Sequence, residues 1–460
     1  MEKAKIFQLT PLMREEWFLS LEKMIDSDFA PNWNAWIGDR ITQEDYRFVK
    51  EFESSVYSKK EVPSSVPPPW LILKIQKLKF TSSYFYERLN GISLPEEFHK
   101  IPLMTREDLQ NKITEILPTD VDFSRLVVNP TSGTTGKPIL APNHPKAIGC
   151  YVPLIEYSLS RHGVELKKGH DHTAAIQLCH QNQTIVYATS HSLAEGSLFA
   201  KINLKEKEWK EKDHLQKFIS HFQPQFLSGD PYAFETAMKM NLKYSPSALH
   251  STALELEDNL RIALSDFFKC PVVNFYSLNE TGPIAYSCPV HPDWMHIISE
   301  DLFIEVLDKE GFPAKEGEIL ISGGRNPYLP LLRYATGDWG EIQYGSCRCG
   351  DSFPKLKLLK GRKPVYFEDT KGERINPIDV SRILRKEPNI LRHQFIQKKD
   401  GSYELNLSVY VPAQTEFIQK LESEFKSLLG SDADIRIKTD LPSDSGKIPV
   451  FLNETKEEKN

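Results

Sequence analysis

Eight consecutive residues, Thr131-Ser132-Gly133-Thr134-Thr135-Gly136-Lys137-Pro138, bring hydroxyls, two glycines and a cation into one short stretch. Glycine lets the backbone turn tightly and approach a ligand, freed N–H groups and hydroxyls donate to oxyanions, and Lys137 adds positive charge. That is the chemistry of a phosphate cradle. It is not the common nucleotide P-loop, which needs glycine where Thr131 stands and Ser or Thr where Pro138 stands. An ordinary hydroxyl-rich turn is the alternative on this segment alone. A second set of residues suits a metal. Cys347 and Cys349 are one residue apart, and Cys288 with either His291 or His296 completes three thiolates and an imidazole, the donor set of a structural Zn2+ site. Scattered thiols are the alternative. Cys150, Cys179 and Cys270 lie in apolar surroundings and read as small core residues.

The elements that position these residues follow from periodicity. Strand-like Arg125-Leu126-Val127-Val128 leads into the glycine-rich stretch. Between about 120 and 345, β-rich runs at 174–178, 272–276, 302–307 and 318–322 alternate with helical ones, which predicts a layered α/β body. Residues 1–69 read as a helical appendage ending in a proline-rich joint, Pro63 to Pro69. A helix is expected over 70–89, and another starts after Thr105, with Asp108 able to return the capping bond. Helical 378–385 and 415–429 with extended 403–411 and 433–438 predict a compact α+β unit at the end.

Composition narrows the partners. With 57 Lys+Arg against 63 Asp+Glu, the net charge of -6 gives no bulk attraction to nucleic acid or an anionic membrane. No run approaches the roughly 18 apolar residues of a membrane span, and the first ten residues lack a signal peptide's apolar region. Six cysteines in 460 residues are too few for a disulfide scaffold. The expected location is cytoplasmic.

The string Ser132 to Pro138 matches the signature loop of the adenylate-forming superfamily of acyl-CoA synthetases, which the chain resembles. Four more segments match in order: Phe275-Tyr276-Ser277-Leu278-Asn279-Glu280-Thr281-Gly282, Arg333-Tyr334-Ala335-Thr336-Gly337-Asp338, Gly361-Arg362 and Ser445-Gly446-Lys447-Ile448. Within the superfamily it is most similar to the phenylacetate-CoA ligase and coenzyme F390 synthetase branch. That likeness is carried by Ser82-Ser83-Tyr84-Phe85-Tyr86-Glu87-Arg88, the segment Ile101 to Leu109, the segment Phe222 to Pro231, Met295-His296-Ile297 and Cys347-Arg348-Cys349-Gly350. The likeness runs from about residue 70 to about 450.

The resemblance implies an α/β adenylate-forming fold, with a large layered N-terminal domain over 70–362 and a small mobile α+β lid over 363–460. It implies activation of a carboxylic acid, aryl or arylacetic by default, to acyl-AMP with loss of pyrophosphate, then transfer to CoA. By that resemblance Thr131, Ser132, Gly133, Thr134, Thr135, Gly136 and Lys137 hold the β- and γ-phosphates of ATP, and Glu280 holds Mg2+. Tyr276, with Ser277 and Asn279 beside it, lies near the adenine; Asp338 takes the ribose hydroxyls, and Arg362 contacts ribose or phosphate. Lys447 reaches the bond being made. Taken singly, Asp338 reads equally as a turn residue, Glu280 as a helix N-terminal carboxylate and Lys447 as a surface charge. Among the metal candidates His296 falls where the branch has a histidine.

Two positions depart from the pattern. Asn279 replaces a threonine, and Pro364 stands at the hinge, where it fixes φ near roughly −65°. Other readings are adenylyl transfer without CoA, delivery to a carrier protein's phosphopantetheine, and a silent nucleotide-binding protein; a homodimer stays open. The segment from Val186 to Gly196, with His191 and Glu195, falls where this branch lines its acyl pocket.

Overall fold

From Thr173 to Leu278, short apolar strands alternate with amphipathic helices, a pattern that a parallel sheet satisfies by burying one stripe of each helix. The computed structural model describes residues 3–58, 65–130, 139–298, 300–359, 367–375, 377–441 and 449–455. In it Ser197–Asn203, Thr173–Cys179, Phe226–Gly229, Ala248–Ser251 and Val272–Leu278 run parallel, and Tyr187–His191 closes the outer edge antiparallel to Ser197–Asn203. Helices His214–Phe222, Pro231–Lys239 and Asp258–Phe268 bury Phe218, Phe234 and Leu264 against Ile176, Leu227 and Leu249.

At Val272–Leu278 the pairing changes hand. Gly282–Ser287 returns antiparallel, and Met295–Ile297, Lys355–Leu359, Leu331–Gln343, Glu316–Gly323 and Leu302–Leu307 extend the sheet to twelve strands. Interior side chains Ile284, Ile297, Ile304, Ile321 and Leu356 fill one face of this half.

The appendage is built into this body. Helices Lys3–Leu9, Glu15–Ile25 and Gln43–Ser58 form as their apolar spacing requires, and Trp17, Phe18, Leu21 and Met24 join the core over the parallel strands. Gly196 shows the fit: its φ is +86°, and a Cβ there would meet the Trp17 ring at 2.5 Å. The helix expected over 70–89 is two, Pro69–Thr81 and Ser83–Arg88, because Ser82 is extended and donates its hydroxyl to Glu115 O at 2.7 Å. The capping box of Thr105 and Asp108 forms as expected.

Three smaller sheets complete the described structure, one of them the short antiparallel pairing of Phe367–Glu368 with Arg374–Ile375. Val127–Pro130 and Leu140–Asn143 pair as an isolated antiparallel ribbon. Ile435–Lys438, Tyr403–Val409, Ile390–Gln397 and Phe451–Asn453 form a four-stranded sheet that packs with Pro377–Leu384 and Thr415–Leu429 around Phe367, Phe395, Leu405 and Phe425. This is a separate, smaller C-terminal α+β domain with its own core. Among the described residues no helix is long and apolar enough to cross a membrane.

Candidate functional site

Ligands of layered α/β sheets bind beyond the carboxyl ends of the parallel strands, where side chains from successive turns converge. Tyr276 and Ser277 occupy that end of Val272–Leu278, and Asn279 and Glu280 form the turn that follows. Ser277 Oγ lies 3.1 Å from Thr252 Oγ1, just beyond the neighbouring strand Ala248–Ser251. The Tyr276 hydroxyl donates to Asp338 Oδ2 at 2.9 Å. Four strand spacings separate these two residues in the sheet order, about 19 Å if the sheet were flat. The hydrogen bond therefore requires the antiparallel half to curl back on itself, as twisted sheets do. Burial and the Asp338 carboxylate hold the Tyr276 phenol well above its ordinary pKa, so it stays a donor.

Glu280 is 6% exposed. Its Oε1 accepts from the Tyr334 hydroxyl at 3.3 Å and lies 3.9 Å from an Arg106 guanidinium nitrogen. A carboxylate so buried, with partners at these distances, has oxygen lone pairs suited to a hard cation. Tyr276, Ser277, Glu280 and Asp338 are thus brought together, with Asn279 exposed at the rim. Thr131, Ser132, Gly133, Thr134, Thr135, Gly136 and Lys137 lie outside the described residues, as do Arg362, Pro364 and Lys447. Three neighbours escaped sequence reasoning. Tyr334 and Arg106 sit inside segments quoted for resemblance and carried no assigned role; Thr252 follows a strand end that no motif marks.

The cysteines converge elsewhere. Donor atoms of Cys288, His296, Cys347 and Cys349 all lie within 4.8 Å of one another. Cys288 Sγ is 3.7 Å from Cys347 Sγ, and Cys349 Sγ is 3.2 Å from His296 Nε2. Tetrahedral zinc with sulfur bonds near 2.3 Å needs sulfur pairs about 3.8 Å apart, so the set fits that ion. His296 Nδ1 faces Phe353 O at 3.2 Å, an outer contact that orients a ligating ring. His291 is exposed, and only its backbone N–H reaches Cys288 Sγ, at 3.4 Å. Asp351, unremarked in the sequence, is buried behind the cluster, where it accepts from Tyr286 and from Tyr157 at 3.1 Å and donates its N–H to Cys349 Sγ at 3.4 Å. Cys150, Cys179 and Cys270 are buried as core residues.

The segment expected at the acyl pocket lies toward the outer edge of the sheet. Tyr187–His191 is the outermost strand, five spacings from Val272–Leu278, or about 24 Å along the sheet. His191 Nδ1 lies 3.8 Å from Asp39 Oδ2 of the N-terminal region, and Glu195 occupies a left-handed turn position at φ 54°.

A layered α/β body with a detached α+β domain and this convergence at its sheet edge is the adenylate-forming enzyme fold. A solved 2-hydroxyisobutyryl-CoA ligase, in the postadenylation state in complex with 2-HIB-AMP, shares it at a TM-score of 0.61 and 14% identity over 96% of each chain. In sequence the chain is similar to a phenylacetate-coenzyme A ligase of Thermus thermophilus, 23% identical over 390 residues that span 76% of this chain and 84% of the relative. It is also similar to protein CapK of Staphylococcus aureus, 20% identical over 361 residues, 76% and 78% of the two chains. The sequence resemblance is to the phenylacetate-CoA ligase-like branch. No protein-family profile matches the chain.

Proposed function

We propose that this protein is an AMP-forming acid–thiol ligase: it joins a carboxylic acid to the α-phosphate of ATP, releases pyrophosphate, and passes the acyl group from AMP to CoA. The observation that carries the reading is the convergence of Tyr276, Glu280 and Asp338 at the carboxyl edge of an adenylate-forming fold. The attacking carboxylate and the phosphates are both anionic, so the barrier is largely electrostatic and fixed donors and cations lower it.

In this reading Asp338 accepts the ribose hydroxyls, Tyr276 packs at the adenine, and Ser277 and Asn279 contribute polar contacts beside it. Glu280 holds a magnesium ion, which when bound neutralises phosphate charge. The stretch Thr131 to Lys137 cradles the terminal phosphates, Arg362 contacts ribose or phosphate, and Lys447 brings its ammonium group to the reacting oxygens. Residues 70–362 form the adenylating body and 363–460 the lid. The acid is aryl or arylacetic by analogy with the Thermus relative. Cys288, His296, Cys347 and Cys349 hold one structural zinc ion, on the strength of their mutual distances.

The test is ATP-dependent pyrophosphate release across aryl, arylacetic, fatty and amino acids. Release with one acid class, loss by orders of magnitude in Lys447→Ala, and thioester formation on adding CoA would bear the reading out. ATP binding with no turnover on any acid would sink it. A second reading rests on Pro364, which restricts the hinge on which the thiol step depends. In it the chain stops at the adenylate or serves a carrier phosphopantetheine, and the adenylate accumulates with CoA untouched.

A further inference from the structure

The hydrogen bonds from Tyr276 to Asp338 and from Tyr334 to Glu280 join the strand Leu331–Gln343 to the end of Val272–Leu278 and the turn after it. Three strands lie between them in the sheet, and the five divide into two units. Val272–Leu278, Gly282–Ser287 and Met295–Ile297 form an antiparallel meander that carries Tyr276 and Glu280. Leu331–Gln343 and Lys355–Leu359 form a hairpin that carries Asp338 and Tyr334. The hairpin pairs along its length from Trp339–Leu359 to Gln343–Lys355, but the meander meets it at two pairs, Met295–Leu356 and His296–Lys355. Adjacent strands take twists from about −10° to −35°, and so short a seam fixes that angle poorly. A change of angle there would carry Asp338 away from Tyr276.

The four metal candidates stand two on each side of this seam. Cys288 directly follows Gly282–Ser287 and His296 lies on Met295–Ile297, whereas Cys347 and Cys349 belong to the turn that joins the strands of the hairpin. Both short donor contacts cross the seam: Cys288 Sγ to Cys347 Sγ at 3.7 Å, and His296 Nε2 to Cys349 Sγ at 3.2 Å. Beside them Ile297 N donates to Pro354 O at 2.8 Å and the Tyr286 hydroxyl donates to Asp351. The cluster does not reach the nucleotide site itself, since Cys288 lies beyond the far end of Gly282–Ser287, roughly 20 Å along the strand from the turn that holds Glu280. One ion bonded to all four residues would tie meander to hairpin at a fixed distance, because zinc keeps its bond lengths and its tetrahedral angles.

We propose that Cys288, His296, Cys347 and Cys349 are positioning residues for the nucleotide: by holding one zinc ion across the seam they set how closely Asp338 approaches Tyr276. The inference rests on the zinc and adenylating readings, and it adds to them a coupling between two sites that share no residue. Metal content then determines nucleotide affinity, and Asp338 is the group through which the effect passes.

The test is equilibrium binding of AMP to the full chain, zinc-loaded and after chelation, in the wild-type and Asp338→Asn backgrounds, with hydrogen exchange followed on the same samples. Depletion should weaken AMP binding at least tenfold in the wild type and less than threefold in Asp338→Asn. Exchange should quicken at Met295–Ile297 and Lys355–Leu359 and stay unchanged at Thr173–Cys179, and Zn2+ added back should restore both readouts. Cys349 is partly exposed, so Cys349→Ser keeps the fold even if full depletion does not, and it should show the same loss of AMP affinity. Equal affinity with and without zinc, or an equal loss in both backgrounds, would overturn the positioning role. Wild-type protein that takes up no zinc would overturn the zinc reading and this role with it. Zinc-loaded protein that binds no AMP would overturn the adenylating reading, which is a different result.

Discussion

Arg392 of the small domain donates through Nε to the carboxylate of Glu235 in the large body, and both side chains are almost fully buried. The guanidinium lies 3.6 Å from the centre of the Tyr232 ring, Ser408 donates to the other Glu235 oxygen, and Lys239 approaches within 2.7 Å. Nearby, His393 Nδ1 lies 2.6 Å from Glu257 Oε2. The centre of the domain contact is thus ionic. Charged faces separate into water at less cost than apolar ones, which would suit the opening and closing proposed for the lid.

Removing one partner leaves the other buried and uncompensated. Arg392→Leu should cost about 3–5 kcal/mol of domain docking, whereas Arg392→Leu with Glu235→Leu should recover most of it. Urea titration with small-angle scattering as the probe checks this. Equal losses in the single and double variants would show that the two residues are not coupled.

Asp338→Asn keeps the shape but loses the anion. In the proposed reading it should raise KM for ATP in pyrophosphate release by ten- to a hundredfold, about 1.4–2.8 kcal/mol. Tyr276→Phe removes only the hydroxyl that donates to Asp338 and should cost less than tenfold. The reverse ranking would reassign the anchoring role to Tyr276.

Purified protein should carry about one equivalent of zinc. His296→Ala or Cys349→Ser should bring metal content below half an equivalent and lower the thermal midpoint, because three donors hold zinc far less well than four. His291→Ala should leave content unchanged, since its ring stands outside the cluster. Elemental analysis reads all three.

His250 gives a pH signature. Burial lowers its pKa from 6.5 to about 4, and its Nδ1 lies 2.9 Å from Ser228 Oγ. The unfolded chain binds this proton more readily, so the stability is present above pH 6.5 and is lost as pH falls toward 4. The loss from this group between pH 7 and pH 5 is about 2 kcal/mol. His250→Gln should flatten that part of the stability profile in urea unfolding measured at both pH values.

Much of this was legible in the chain. The strand 302–307 and the helix 415–429 fall where periodicity puts them, because each is a simple one-face pattern. Tyr276, Glu280 and Asp338 stand in short segments whose resemblance to the superfamily singles them out. What escaped depends on long-range pairing. Nothing near Asp338 announces that its strand curls back onto Tyr276 across three others. The break at Ser82 comes from a hydroxyl reaching Glu115, a contact without periodicity. Nor does the segment from Val186 to Gly196 announce its long-range neighbours, Trp17 against Gly196 and Asp39 beside His191.

The strand Val272–Leu278 has one neighbour of each hand, so neither the parallel nor the antiparallel half has a finished edge without it. Anything gripping Tyr276 at its tip pulls on both halves at once. The large body should accordingly melt as one cooperative unit when nucleotide is present, its calorimetric peak moving upward whole instead of splitting in two.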